Sequence, residues 1–256
     1  MNGFFAFLSK ELLEMLRTHR IWIVIGVFFL LGLMNAPLAN FTPQLLELAG
    51  ASEMMGDLAI TQPTALDAWA QFYANVGQMG VLAILLICGG MLSRERSRDT
   101  LVLPLTKGLG RTGIVLVKFL VASMLWTLAV VVATVVSWAY TELLFSGETV
   151  KHLFLSVVLF WLFGEFLLAL IPLSSVLFKG GLSGLIIPGF VLFVLLVLTA
   201  FPDLFFWNPC LLIVNGLGLM DGAIKPSEML VPALVAVAVA ASALVAAIVR
   251  FKHAPL

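Results

Sequence analysis

The sequence predicts an all-α polytopic membrane protein with six transmembrane helices, an N-terminal interfacial amphipathic helix, and both termini cytoplasmic. Three observations carry this. First, 62% of the 256 residues are hydrophobic and 11% are charged, with a mean hydropathy of +1.13. Ordinary soluble domains carry about 25% charged residues, so this chain has too little polar surface to cover a globule. Second, long uncharged runs such as Phe72 to Ser93 and Phe119 to Thr141 approach the ~20 residues a crossing helix needs. Third, charge is segregated. With both ends inside, every Lys and Arg except Lys151 and Lys225 falls on the cytoplasmic side, and nine of the fourteen acidic residues fall outside. That is the positive-inside asymmetry. The formal net charge is zero, so the placement of charge is informative and its balance is not.

The elements follow in order within one transmembrane domain, 1–256. Phe5, Leu8, Leu12 and Met15 recur at helical spacing, with Lys10, Glu14 and Arg17 on another face, so residues 1–20 read as a helix lying in the membrane interface. A cleaved signal peptide fits poorly, because the lead-in is long and contains two glutamates. The spans fall at about 21–39, 76–92, 114–140, 153–178, 182–200 and 230–249. Between the first two lies an acidic outer segment with Glu47, Glu53, Asp57 and Asp67. Its Leu45, Leu46 and Leu48, then Leu66, Trp69 and Phe72, predict two short amphipathic helices on the outer interface. Lys118 lies within snorkelling reach of the inner surface. Lys179-Gly180-Gly181 makes an inner turn, and 201–229 is an outer segment with Asp203, Asp221, Lys225 and Glu228.

Several patterns carry no chemistry. Gly108, Gly110 and Gly113 match G-x-G-x-x-G, but no βαβ unit surrounds them, so a dinucleotide site is rejected. No phosphate-loop motif is present, so the chain is not itself an ATPase of that kind. Cys88 and Cys210 are not placed to pair, and His19, His152 and His253 are scattered near span ends, without metal-site spacing. Met54-Met55 is too thin a signal for copper. Gly180 and Gly184 form a small-xxx-small pair, read as a close-packing point.

The most informative stretch is Ser93 to Lys118. It holds six of the fourteen basic residues, Arg94, Arg96, Arg98, Lys107, Arg111 and Lys118, between two uncharged runs. Residues 95–105 have helical character until Pro104 and the glycines impose a turn. Composition leaves two roles open: an anchor for anionic lipid headgroups or a docking loop for a protein.

Within this loop Glu95-Arg96, Thr100-Leu101, Leu103, Lys107, Arg111 and Lys118-Phe119-Leu120 resemble the signature of ABC exporter permeases of the second type. Asp67-Ala-Trp-Ala-Gln71-Phe72 and Asn75 are similar to a prokaryotic subset of that family. Asp99, Gly108, Gly110 and Val117 depart from the pattern and put the local turn geometry in question. The resemblance implies that loop 93–113 is a coupling element seated in a separate ABC ATP-binding subunit, with contact carried by Arg94, Glu95, Arg96, Arg98, Thr100, Leu101, Leu103, Lys107 and Arg111. It implies two copies of that subunit, Mg-ATP bound there with no cofactor in this chain, and a second permease copy or related permease. It also implies a bacterial plasma-membrane location and no nucleic-acid partner.

Glu165 is the one ionisable residue deep in a span. Such a charge is costly and either lines a path or packs at a helix interface. Asn75 and Gln78 are weaker candidates for a path. Three alternatives stand beside the exporter. An ion- or proton-coupled carrier would use Glu165. A permease of the same fold could serve metal-centre assembly or sensing. A membrane-embedded enzyme is disfavoured, because no intramembrane histidine or second acid accompanies Glu165. The apolar spans tilt the cargo towards hydrophobic or amphiphilic molecules.

Overall fold

The computed structural model describes residues 2–48, 62–97, 110–201 and 204–253. Helix α1 spans Asn2–Arg17 and buries Phe7 and Met15. His19, with φ 57°, turns the chain between α1 and α2, which runs Arg20–Leu48. The second expected span is a compound helix: α3 (Ala65–Ala74), a π-helical turn (Asn75–Gly80) and α4 (Val81–Cys88). A short α5 (Ser93–Ser97) follows, then α6 (Arg111–Leu144) and α7 (Leu153–Leu177). A 3-10 turn (Ser183–Leu185) leads into α8 (Ile186–Leu198). Two small helices, α9 (Leu211–Val214) and α10 (Gly216–Asp221), precede α11 (Leu230–His253). Among the described residues five helices are long and apolar enough to cross a membrane, and Ser183–Leu198 is a shorter apolar helix.

Two expectations are corrected. The outer-interface helices are extensions of spans. The α2 backbone remains helical to Leu48, and Leu66, Trp69 and Phe72 belong to α3, where Trp69 and Phe72 are fully buried. The physical reason lies in the capping of α3. Asp67 accepts hydrogen bonds from the Thr64 backbone N–H and hydroxyl (both 2.8 Å), and Glu148 accepts one from the Ala65 N–H at 2.6 Å. These carboxylates satisfy helix N-terminal donors and complement the helix dipole, so the helix starts well before the apolar run. Leu45, Leu46, Glu47 and Leu48 have no described side chains, and Glu53, Asp57, the Met54-Met55 pair and Asp203 lie outside the described residues.

The second correction concerns the glycines. Gly180 adopts φ 119° with open space where a Cβ would go, so it serves the turn. Close packing falls to Gly184, where a Cβ would overlap the Gly89 carbonyl.

Helix α2 packs along α6, and α11 along α7. The core between them is aromatic. Trp126 contacts Phe28 (6.1 Å between ring centroids) and Phe160 (5.4 Å), which in turn meets Phe72 (5.6 Å). Gly164 makes this possible, because a Cβ there would overlap the Trp126 indole. Most polar groups inside the bundle are paired, the hydroxyls of Thr134 and Ser183 being exceptions. Asn75 donates to Asn35, Asn35 to Ser137, and Ser137 to the Gly32 carbonyl, tying the π turn, α2 and α6 together. An unpaired amide at that depth costs several kcal/mol, about the desolvation of a polar group.

Candidate functional site

The chain around Glu95 is held from several sides. Ser93 donates to the Gly89 and Gly181 carbonyls at 3.1 and 2.9 Å. Arg96 donates to the carbonyls of Ser175 and Val176 at 3.0 and 2.6 Å, which are orphan acceptors at the C-terminal end of α7. Arg111 does the same for α11, donating to the carbonyls of Phe251 and Lys252 at 2.9 Å each, with its guanidinium over the Phe251 ring. A cation at a helix C-terminus also meets the negative end of the dipole. Arg96 and Arg111 are therefore clamps between helices.

Glu95 itself belongs to an ionic cluster. The Lys118 ammonium lies 2.8 Å from Glu95 and 2.6 Å from Glu11, and Lys10 lies 2.9 Å from Glu11, 3.0 Å from Glu14 and 3.6 Å from Glu95. Lys118 does not snorkel. It is 4% exposed, because α1 lies across the start of α6 and places Glu11 on the ammonium. Glu11 sits on the buried stripe of α1 between Phe7 and Met15, one helical turn from each. A charge at i+4 within an apolar stripe was the available signal for it, and the sequence reading passed over it. Glu11, Glu14 and Glu95 bring carboxylate oxygens within 4.8 Å of one another, but the ammoniums of Lys10 and Lys118 fill the centre of that group.

The electrostatics follow from the geometry. Burial works against the Lys10 charge, but hydrogen bonds to Glu11 and Glu14 and the nearby Glu95 outweigh it and hold Lys10 above the usual lysine pKa. Burial likewise pushes Glu14 up. The hydrogen bond from Lys10 and the fields of Lys10, Lys118 and Arg20 prevail, leaving it below its ordinary value. Arg94 is exposed and borders a cavity beside this cluster. Arg98, Thr100, Leu101, Leu103 and Lys107 lie outside the described residues.

Three expected residues lie outside this cluster. Glu165 accepts a hydrogen bond from Ser123 at 2.7 Å across the α6–α7 interface, and one turn away Trp161 donates to Thr127 at 3.0 Å. Asn75 bonds Asn35 between helices. Gln78 is exposed on the π turn and lines an apolar cavity of about 510 Å³ with Tyr73, Phe163, Leu192, Leu196 and Ile213. A π turn adds a residue to the helix and re-aims its side chains, and such turns recur at functional sites. Glu165 lines neither this cavity nor the one beside Arg94. Tyr73 was not anticipated. It shares a 2.6 Å hydrogen bond with Ser156, which donates to the Gly216 carbonyl, so α3, α7 and α10 meet at the cavity's edge.

A helical bundle with several crossing-length apolar helices is an integral membrane protein, and the described ends of its basic loop are tied to the bundle through Arg96 and Arg111. The sequence matches the family described as ABC-2 family transporter protein over residues 5–255, so the chain belongs to that family. It is an ABC transporter permease. No curated protein matches it.

Proposed function

We propose that this permease is the membrane subunit of an ATP-driven exporter in a bacterial plasma membrane. It crosses six times, Ser183–Leu198 supplying the fifth crossing, with both termini and loop 93–113 in the cytoplasm. Two copies, or one copy and a related permease, work with two separate ATP-binding subunits that carry Mg-ATP. The observation that carries the coupling role is the pairing of Lys118 with Glu95 and Glu11. Through it a displacement of the loop reaches α6 and α1 together, and Arg96 and Arg111 extend the linkage to α7 and α11. Nucleotide binding drives transport only if it favours one arrangement of these elements over another.

Among the loop residues, Arg98, Thr100, Leu101, Leu103 and Lys107 take the docking role, and Glu95 takes transmission. The apolar cavity lined by Gln78 and Tyr73 is the proposed cargo path, and its walls favour hydrophobic or amphiphilic cargo. Glu165 takes the packing role its Ser123 bond supports.

The test is purification of the tagged chain from gently solubilised membranes. A stoichiometric ATP-binding protein should accompany the wild type and be lost from a Lys107→Glu, Arg98→Glu double variant. A chain that arrives alone while other complexes survive contradicts the reading and favours the Glu165-dependent carrier.

A further inference from the structure

Gly89 ends α4, and Gly184 lies in the 3-10 turn that opens α8. Both are buried where the two segments cross. Neither position has room for a side chain. A Cβ on Gly184 would overlap the Gly89 carbonyl, and one on Gly89 would overlap the Leu185 side chain. At its centre the contact is therefore backbone against backbone, the close approach that small residues permit between membrane helices. It holds no interlocked side chains that must repack when the crossing angle changes.

The crossing is a point and not a seam. Among the described residues α4 and α8 share little other contact. Away from the glycines they separate around the apolar cavity, which Val81 and Leu82 line from α4 and Leu192 and Leu196 from α8. Leu82 and Leu192 lie seven and eight residues from their glycines, about 10–12 Å along each helix, so the two arms are nearly equal. Ser174 of α7 fixes the base of α8. It donates to the Ser183 carbonyl at 2.6 Å and accepts from the Ile187 N–H at 3.0 Å, an orphan donor of that helix start. On the loop side of the crossing Ser93 donates to the Gly181 carbonyl, so a force on the loop reaches the short arm of both helices.

We propose that Gly89 and Gly184 are positioning residues for transport. Their crossing is the fulcrum on which α4 and α8 change angle, and displacement of the loop widens or narrows the cavity between them. The inference rests on the reading of this chain as an ATP-driven exporter with that cavity as its cargo path.

The test uses the reconstituted complex with its ATP-binding subunit and measures distances between spin labels by double electron–electron resonance. Both native cysteines are replaced, by Cys88→Ala and Cys210→Ala. The outer label pair is Met79→Cys with Phe193→Cys, and the inner pair is Leu86→Cys with Ile186→Cys, all at exposed positions. Labelled chains are diluted with unlabelled ones, so that only distances within one chain are read. The outer labels lie ten and nine residues from the crossing and the inner labels three and two. When a non-hydrolysable ATP analogue binds with Mg, the outer shift should therefore be at least about three times the inner one, since helix length is proportional to residue count. Equal shifts, or none at the outer pair, overturn the fulcrum. Gly184→Ala should abolish the outer shift while the ATP-binding subunit stays bound, and Gly189→Ala, whose Cβ meets open space, should preserve it. An undiminished outer shift in Gly184→Ala also overturns the fulcrum. Should Gly184→Ala fail to fold, the two label pairs decide alone. A chain without Gly184→Ala that retains no ATP-binding subunit overturns the exporter reading and this inference with it, whereas a retained subunit with equal shifts overturns the fulcrum alone.

Discussion

Glu95 and Lys118 meet at 2.8 Å, the first 18% and the second 4% exposed at the side chain. They stand at opposite ends of the basic loop, so their contact closes it at its base, and Glu11 of α1 joins the same ammonium at 2.6 Å. Removing one member of a buried ion pair leaves an uncompensated charge, which costs about 3–5 kcal/mol.

Lys118→Met should therefore be the most damaging single change in the cluster, because it removes the buried ammonium that Glu11 and Glu95 share and leaves the half-exposed Lys10 to face both. Its thermal midpoint in detergent should fall clearly below that of Glu95→Gln, which leaves the Lys118–Glu11 pair intact. Equal midpoints for the two variants would contradict the arrangement.

The cluster also sets a pH window for the attachment of α1. Glu14 has its pKa lowered by folding, so its contribution is present above the ordinary carboxylate value of 4.5 and is lost as pH falls through its folded pKa. Lys10 has its pKa raised, so its contribution is complete below 10.5 and is lost as pH rises through its folded pKa. The protection of the amides of residues 2–17, taken relative to the intrinsic exchange rate at each pH, should be highest between these limits and fall on both sides. Lys10→Met should flatten both flanks.

Arg111→Gln should free the last turn of α11, because the carbonyls of Phe251 and Lys252 lose their donor. Faster exchange should be confined to the end of that helix, with the insertion of the other spans unchanged. Arg111→Lys should restore only part of the protection, since an ammonium lacks the planar fork.

Glu165→Gln should preserve transport, because an amide oxygen still accepts from Ser123. Glu165→Leu removes that acceptor and should lower stability by about 1–3 kcal/mol, the cost of leaving one buried polar group unsatisfied. Loss of transport in the Gln variant at wild-type stability would instead place Glu165 on the path.

The helical membrane class was legible because composition and charge segregation act over the whole chain. Helix limits were less legible. Span ends were read from hydropathy, whereas α3 starts where Asp67 and Glu148 cap it, and the latter comes from a distant loop. Glu95 and Lys118 stood out as separate parts of a family signature. Their pairing did not, because it depends on α1 lying across α6, a tertiary fact with no local trace beyond a glutamate in an apolar stripe. Arg96 and Arg111 read as docking residues because the sequence does not show which carbonyls await a donor. The π turn that presents Gln78 has no distinctive composition at all.

The central claim is that Glu95 transmits loop movement and does not merely dock the loop. The most direct measurement is transport-coupled ATP hydrolysis by the reconstituted complex carrying Glu95→Gln, set beside the amount of ATP-binding subunit it retains. The account predicts normal retention with ATP turnover that no longer responds to cargo. Normal cargo-stimulated turnover at normal retention would contradict it.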